Sequence, residues 1–334
     1  LMAGLLDIVP PQARANFLAA PGFETQLAQL LNAGALANGW LITGGEGAGK
    51  ATLAYRLARA LLWRQRPLDA ETLDVPESAP EFALVASGGH PDLFVAARRF
   101  DDKKERYATE ITVETIRELN QFLSYTASMG GWRVAIIDSA EDLNRNSANA
   151  LLKVLEEPPA RAALFVLSSA PGRLPATVRS RCRRIDLRPL PNETIAVFLE
   201  SEGVVEGGDA RKLASVAGGR PGFALALALG DGAAAIDAVG DFWAAAAKDG
   251  DVGIVASRLA AKEEEGAFAL FRTLLNARLA AEAKSLAVRG HPKASAFVDL
   301  HERLNALFRR AEAVNLDRYQ ILLAAGRAFG AAIK

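Results

Sequence analysis

Short apolar runs alternate with helical patterns through the first half of the chain, and the alternation predicts a parallel sheet covered by helices. Strands are expected at 40–43, 92–96, 133–138, 164–168 and 184–187, with helices at 24–33, 50–63, 113–127 and 147–156. In the last of these, Ala148, Leu151, Leu152 and Leu155 recur at helical spacing on one face, while Lys153, Glu156 and Glu157 turn away. Pro158 and Pro159 then stop the helix, because neither can donate a backbone hydrogen bond.

Past Arg188 the strand pattern ends. Arg188-Pro-Leu-Pro-Asn192 is punctuation, with Asn192 set to cap a helix at 193–200, and two further short helices are expected at 210–217 and 222–228. Beyond Gly230 and Gly232 the periodicity is helical throughout. Phe268, Phe271 and Leu275 form one stripe and Phe297, Leu300, Leu304 and Leu307 another, the pattern of a bundle core with room for one face to meet another subunit. The fold class is therefore α/β followed by all-α, in three parts: 1–187, 188–230 and 231–334.

Charge removes some functions from this picture. Lys plus Arg equals Asp plus Glu at 39 each among 334 residues, so no bulk charge marks a dedicated nucleic-acid or membrane binder. The run from Arg98 to Arg106 reads as a solvated loop. One cysteine, Cys182, and three scattered histidines, His90, His291 and His301, give neither an internal disulfide nor a zinc-ligand spacing. The opening 17 residues lack a basic start followed by an apolar run, and no stretch of about 18 apolar residues occurs, so a cytoplasmic protein is expected.

The chemistry gathers after the first strand. Gly44-Gly45-Glu46-Gly47-Ala48-Gly49-Lys50 lies between a strand and a helix, the context of a phosphate-binding loop. Its glycines let backbone N–H groups turn toward phosphate oxygens at a helix N-terminus, with Lys50 reaching the outer phosphates. The next position, where a hydroxyl would ligate magnesium, is Ala51; Thr52 comes one residue late, rotated about 100° around the helix. The strand at 133–138 ends in Asp138, a carboxylate suited to holding magnesium or to capping the turn near Glu141. Ser139 follows it. The loop leaves ATP binding open as the candidate cofactor, while Ala51 and Ser139 argue against magnesium-dependent turnover.

The stretch Asn146-Ser-Ala-Asn-Ala-Leu-Leu-Lys-Val-Leu-Glu-Glu-Pro-Pro159, together with Leu174-Pro-Ala-Thr-Val-Arg-Ser-Arg-Cys182 and Gly89-His-Pro-Asp-Leu93, resembles the clamp-loader branch of the AAA+ proteins. The resemblance spans 38–190 and rests only on helical pattern and size thereafter. It implies an AAA+ phosphate-loop domain, a three-helix lid and a C-terminal oligomerisation collar for the three parts. Hydrolysing members carry a catalytic Glu where this chain has Ser139, so the resemblance is to the non-hydrolysing subunits.

Within that resemblance Arg181 corresponds to an arginine finger that reaches the ATP of a neighbouring subunit, with a surface ion-pairing role as the alternative. Ser168 and Ser169 stand at the polar sensor position. In Gly218-Gly-Arg-Pro-Gly222, Pro221 falls where hydrolysing members carry a sensor arginine, leaving Arg220 as the substitute. The implied partners are gamma/tau-type motor subunits, the delta subunit, the sliding clamp and primed DNA, the last through backbone phosphates without base reading. The four-cysteine zinc module of many relatives has no counterpart in 64–89. A self-sufficient gamma/tau-type ATPase and a nucleotide sensor that binds without hydrolysing are the competing functions.

Overall fold

The computed structural model describes residues 9–33, 38–64, 72–101, 106–230, 232–248, 251–260, 265–313 and 316–333. These form two compact units: 9–191 with 218–223, and 192–217 with 224–333.

In the first unit, helix α1 (Phe23–Asn32) precedes strand β1 (Gly39–Thr43), which runs through the phosphate loop into α2 (Lys50–Leu62). Next come α3 (Pro80–Ala86), β2 (Leu93–Ala97), β3 (Phe100–Asp101), β4 (Arg106–Tyr107), α4 (Val113–Ser124) and β5 (Arg133–Asp138). The remainder is α5 (Arg145–Glu156), β6 (Ala162–Ser168), the short α6 (Ala176–Arg179) and β7 (Arg183–Asp186). Five strands make one parallel sheet in the order β2-β5-β6-β1-β7.

Alternate residues of the central strands feed two cores. Trp40, Ile42, Val134, Ile136, Phe165 and Leu167 meet Leu53, Leu57 and Leu61 of α2. On the other face Leu41, Ala135, Ile137, Leu164 and Val166 meet Ile116 and Leu119 of α4 and Leu151 and Val154 of α5. Burial on both faces is why these strands read as unbroken apolar runs in the sequence.

In this unit and at its border several expectations change. The charged run at 98–106 is not simply a solvated loop: Phe100 pairs with Tyr107 and Asp101 with Arg106 as an antiparallel ribbon, and Arg98 reaches Asp142 at 3.0 Å. Residues 102–105 of that run lie outside the described residues. Helix α5 begins at Arg145, earlier than expected, because the Asn144 side chain accepts from the N–H groups of Asn146 and Ser147. Asn192 does not cap its helix but is the first residue of it.

The second unit contains α7 (Asn192–Ser201), α8 (Gly207–Ala217), the body of α9 (Pro221–Leu229), α10 (Gly232–Lys248), α11 (Gly253–Ala260), α12 (Glu265–Val288), α13 (Ala294–Ala313) and α14 (Arg318–Ile333). Phe242 packs edge-on to Phe271 and Phe329 with ring centroids 5.4 and 6.1 Å away, and Trp243 meets Phe329 at 4.6 Å. The expected stripes are this core, except that Phe308 rather than Leu307 is fully buried on α13. Among the described residues no single helix is long and apolar enough to cross a membrane.

Candidate nucleotide site and arginine loop

Parallel pairing brings the C-terminal ends of the central strands together. Thr43 of β1 lies opposite Ser168 of β6 and Asp186 of β7, and the phosphate loop leaves from this edge. An open α/β sheet binds ligands at such strand ends.

Gly47 and Gly49 explain the loop's glycines. Gly47 has φ +77°, and a Cβ there would stand 2.4 Å from the Phe223 nitrogen; Gly49 caps α2 at φ +93° with Phe17 against it. The Gly222 N–H donates to the Gly47 carbonyl at 2.8 Å. Arg220 lies along the loop, since a Cβ on Gly45 would meet its Cδ at 2.9 Å, and its guanidinium covers the Phe223 ring at 4.3 Å. Burial lowers the Arg220 pKa and the Glu46 carboxylate counters it.

Lys50 Nζ donates to the carbonyls of Gly44 (2.9 Å) and Gly45 (3.0 Å) and to Ser169 Oγ (2.7 Å). Burial pulls its pKa down, while the charges of Asp138, Glu141 and Glu46 push it back up. Ala51, instead of presenting a hydroxyl, packs its methyl against the core beneath α2. Thr52 is half-buried one position on.

Asp138 ends β5 half-buried, and its pKa is raised by burial, opposed by Lys50 and reinforced by Asp142 and Glu141. The turn at Ala140–Asp142 has no side-chain cap, so Asp138 does not serve that role. Glu141 carries no motif that marks it in the sequence. Its carboxylate accepts from Ser139 Oγ, from Ser168 Oγ at 2.7 Å and from the Ala170 N–H. Despite partial burial, these bonds hold its pKa at about 2. The hydroxyl of Ser168 thus faces Glu141, and that of Ser169 faces Lys50.

Beside Ala48 a cavity of about 520 Å³ opens between the N-terminal segment and the chain after β7, lined by Phe17, Phe23, Asp186, Arg188 and Leu190. Its size and mixed lining suit a nucleoside next to a phosphate loop. Of the hydroxyl and carboxylate pair that usually holds magnesium beside a phosphate loop, only the carboxylate of Asp138 is present, with Ala51 at the hydroxyl's position.

Arg181 is elsewhere. It sits just before β7, where a Cβ on Gly39 would be 3.5 Å from its carbonyl oxygen, at the N-terminal end of β1. Four residues of strand, roughly 13 Å, separate that end from the phosphate loop. Its guanidinium donates to the Thr177 carbonyl at 3.0 Å and pairs with Glu156 at 2.6 Å, with 36% of the side chain exposed. Burial pushes the neighbouring Cys182 thiol up to about 11, which removes it from thiolate chemistry.

A parallel sheet with its phosphate loop after β1 and its acidic strand end on β5, one strand removed across β6, defines an AAA+-type nucleotide-loop protein. Residues 20–191 match the family described as DNA polymerase III, delta subunit. The chain belongs to that family.

It is 39% identical over 146 residues to the DNA polymerase III subunit delta' of Pseudomonas aeruginosa, covering 44% of this chain and 42% of that protein. With the corresponding Escherichia coli subunit delta' it shares 34% identity over 211 residues, covering 63% and 60%. The matches thus span about half the length of these relatives. A solved DNA polymerase III gamma subunit-related protein from Thermotoga maritima is similar with TM-score 0.45 and 16% identity, covering 93% of this chain and 100% of that one.

Proposed function

We propose that the chain is a non-hydrolysing, delta-prime-type subunit of a clamp loader that supplies Arg181 to the ATP site of a neighbouring motor subunit. The observation that carries this reading is the opposition of two sheet ends. At one end the phosphate loop keeps Lys50 but lacks a magnesium hydroxyl at Ala51 and a base at Ser139. At the other end, roughly 13 Å of strand away, Arg181 cannot serve that loop and faces solvent in part.

Ser139 cannot accept a proton from water at neutral pH, and its hydroxyl is already engaged with Glu141. Losing a positioned base costs about 100- to 10,000-fold in rate. An arginine donated in trans adds about 10³- to 10⁵-fold to the partner's turnover by meeting charge that develops on the transferred phosphoryl group. The partners of this reading are gamma/tau-type motors, a delta subunit, the sliding clamp and primed DNA gripped through its phosphates.

A second role, nucleotide binding without hydrolysis, is favoured by the Lys50 cradle and the cavity beside Ala48. ATP would be held by the loop N–H groups, Lys50 and that cavity, with little help from magnesium.

The test is phosphate release by the purified chain with ATP and magnesium, beside a loader reconstituted with and without it. The reading predicts silence from the isolated chain and DNA-stimulated turnover only when the loader contains it. Turnover by the isolated chain at the rate of a motor subunit would overturn it.

A further inference from the structure

The ion pair on Arg181 sits on a closely packed junction. Glu156 is the last residue of α5, and the Leu155 before it presses on the start of β1 so closely that a Cβ on Gly39 would meet Leu155 Cδ2 at 2.7 Å. The Arg181 carbonyl oxygen and the Cys182 Sγ converge on the same point, at 3.5 and 3.6 Å from that Cβ position. Glycine at 39 lets the end of α5, the start of β1 and the Arg181 loop touch.

From this junction the guanidinium is held at two atoms. Nη1 donates to the Thr177 carbonyl of α6 at 3.0 Å, and Nη2 meets Glu156 Oε1 at 2.6 Å. Two separate acceptors on a planar fork fix its plane as well as its position, and the remaining N–H donors stay available. An arginine otherwise carries large rotamer freedom that must be lost when it engages a phosphate.

We infer that Glu156 is a positioning residue for Arg181: it presets the guanidinium so that it enters the neighbouring nucleotide site already ordered. The inference rests on the trans-arginine reading above. Glu156 itself touches no phosphate. As an exposed pair, 36% and 48% accessible on its two sides, the contact adds little to folding stability, so its value is geometric.

The experiment is DNA-stimulated ATPase of the complete reconstituted loader carrying Glu156→Ala, Glu156→Gln, Arg181→Ala or the Ala pair at both positions. Glu156→Ala is expected to lower kcat about 3- to 30-fold, the upper end corresponding to the rotamer freedom of a long cationic side chain, with KM for ATP unchanged. Glu156→Gln, whose amide oxygen can accept the same bond, is expected to recover most of the loss. In the Arg181→Ala background Glu156→Ala should add nothing.

Wild-type or faster turnover with Glu156→Ala, while Arg181→Ala is severely slowed, overturns the positioning role and leaves the finger standing. A Glu156→Ala defect that persists undiminished without Arg181 also overturns it. If Arg181→Ala itself has no effect, both readings fail together.

Discussion

Glu141 illustrates how a residue without a motif can hold a site together. Its carboxylate joins the turn after β5 to the end of β6 by accepting from Ser139, Ser168 and Ala170. Those donors favour the charged form and bring its pKa from 4.5 to about 2. A carboxylate with a depressed folded-state pKa contributes stability that is complete above its unfolded value, here 4.5, and is lost as pH falls through about 2. Glu141→Gln should therefore lower the melting temperature at pH 7, with a deficit that shrinks steadily between pH 4.5 and 2. A deficit constant across that range, followed by calorimetry, would mean that the charge is not what matters. The glycines, Lys50, Asp138 and Arg181 could be singled out in the sequence as candidates, because each stands at a fixed offset from a strand or in a local motif. Glu141 was invisible because its partners Ser168 and Ala170 come from the end of β6 and the turn beyond it, 27 and 29 residues on.

At the scale of elements, α5 connects the acidic end of β5 to the Arg181 junction, so its two ends carry different duties. Its N-terminus depends on Asn144, which accepts from the N–H groups at 146 and 147 (3.0 and 2.9 Å) and donates to Glu110 at 2.7 Å. Asn144→Ala should cost about 1 kcal/mol of stability, measured by urea unfolding of the whole chain. An unchanged midpoint would show that the cap is dispensable. The sheet strands were legible because both-face burial writes continuous apolar runs, as in Val134 to Ile137. The short α3 was not: seven residues with Phe82 and Val85 buried give no helical period, and only Pro80 at its first position hints at it. The β3–β4 ribbon was masked by the charges around it. Its formation depends on cross-strand pairing, which a local pattern does not encode.

For the molecule as a whole, the phosphate loop with Lys50 lies at one end of the sheet, and Arg181, paired with Glu156, lies at the other. The described C-terminal helices bury a core of aromatic rings, with Arg278 covering Trp243 at 4.4 Å. That interior accounts for the helical stripes without requiring that every apolar face meet a partner. The family match over 20–191 and the delta-prime relatives agree with the part of the chain in which the motifs fall. The most direct measurement is steady-state, DNA-stimulated ATPase of the reconstituted loader with Arg181→Ala in this chain alone, with assembly checked by gel filtration. The account predicts an intact complex whose turnover falls about 10³-fold or more at the site the arginine serves. An intact complex that hydrolyses ATP at the wild-type rate would contradict it.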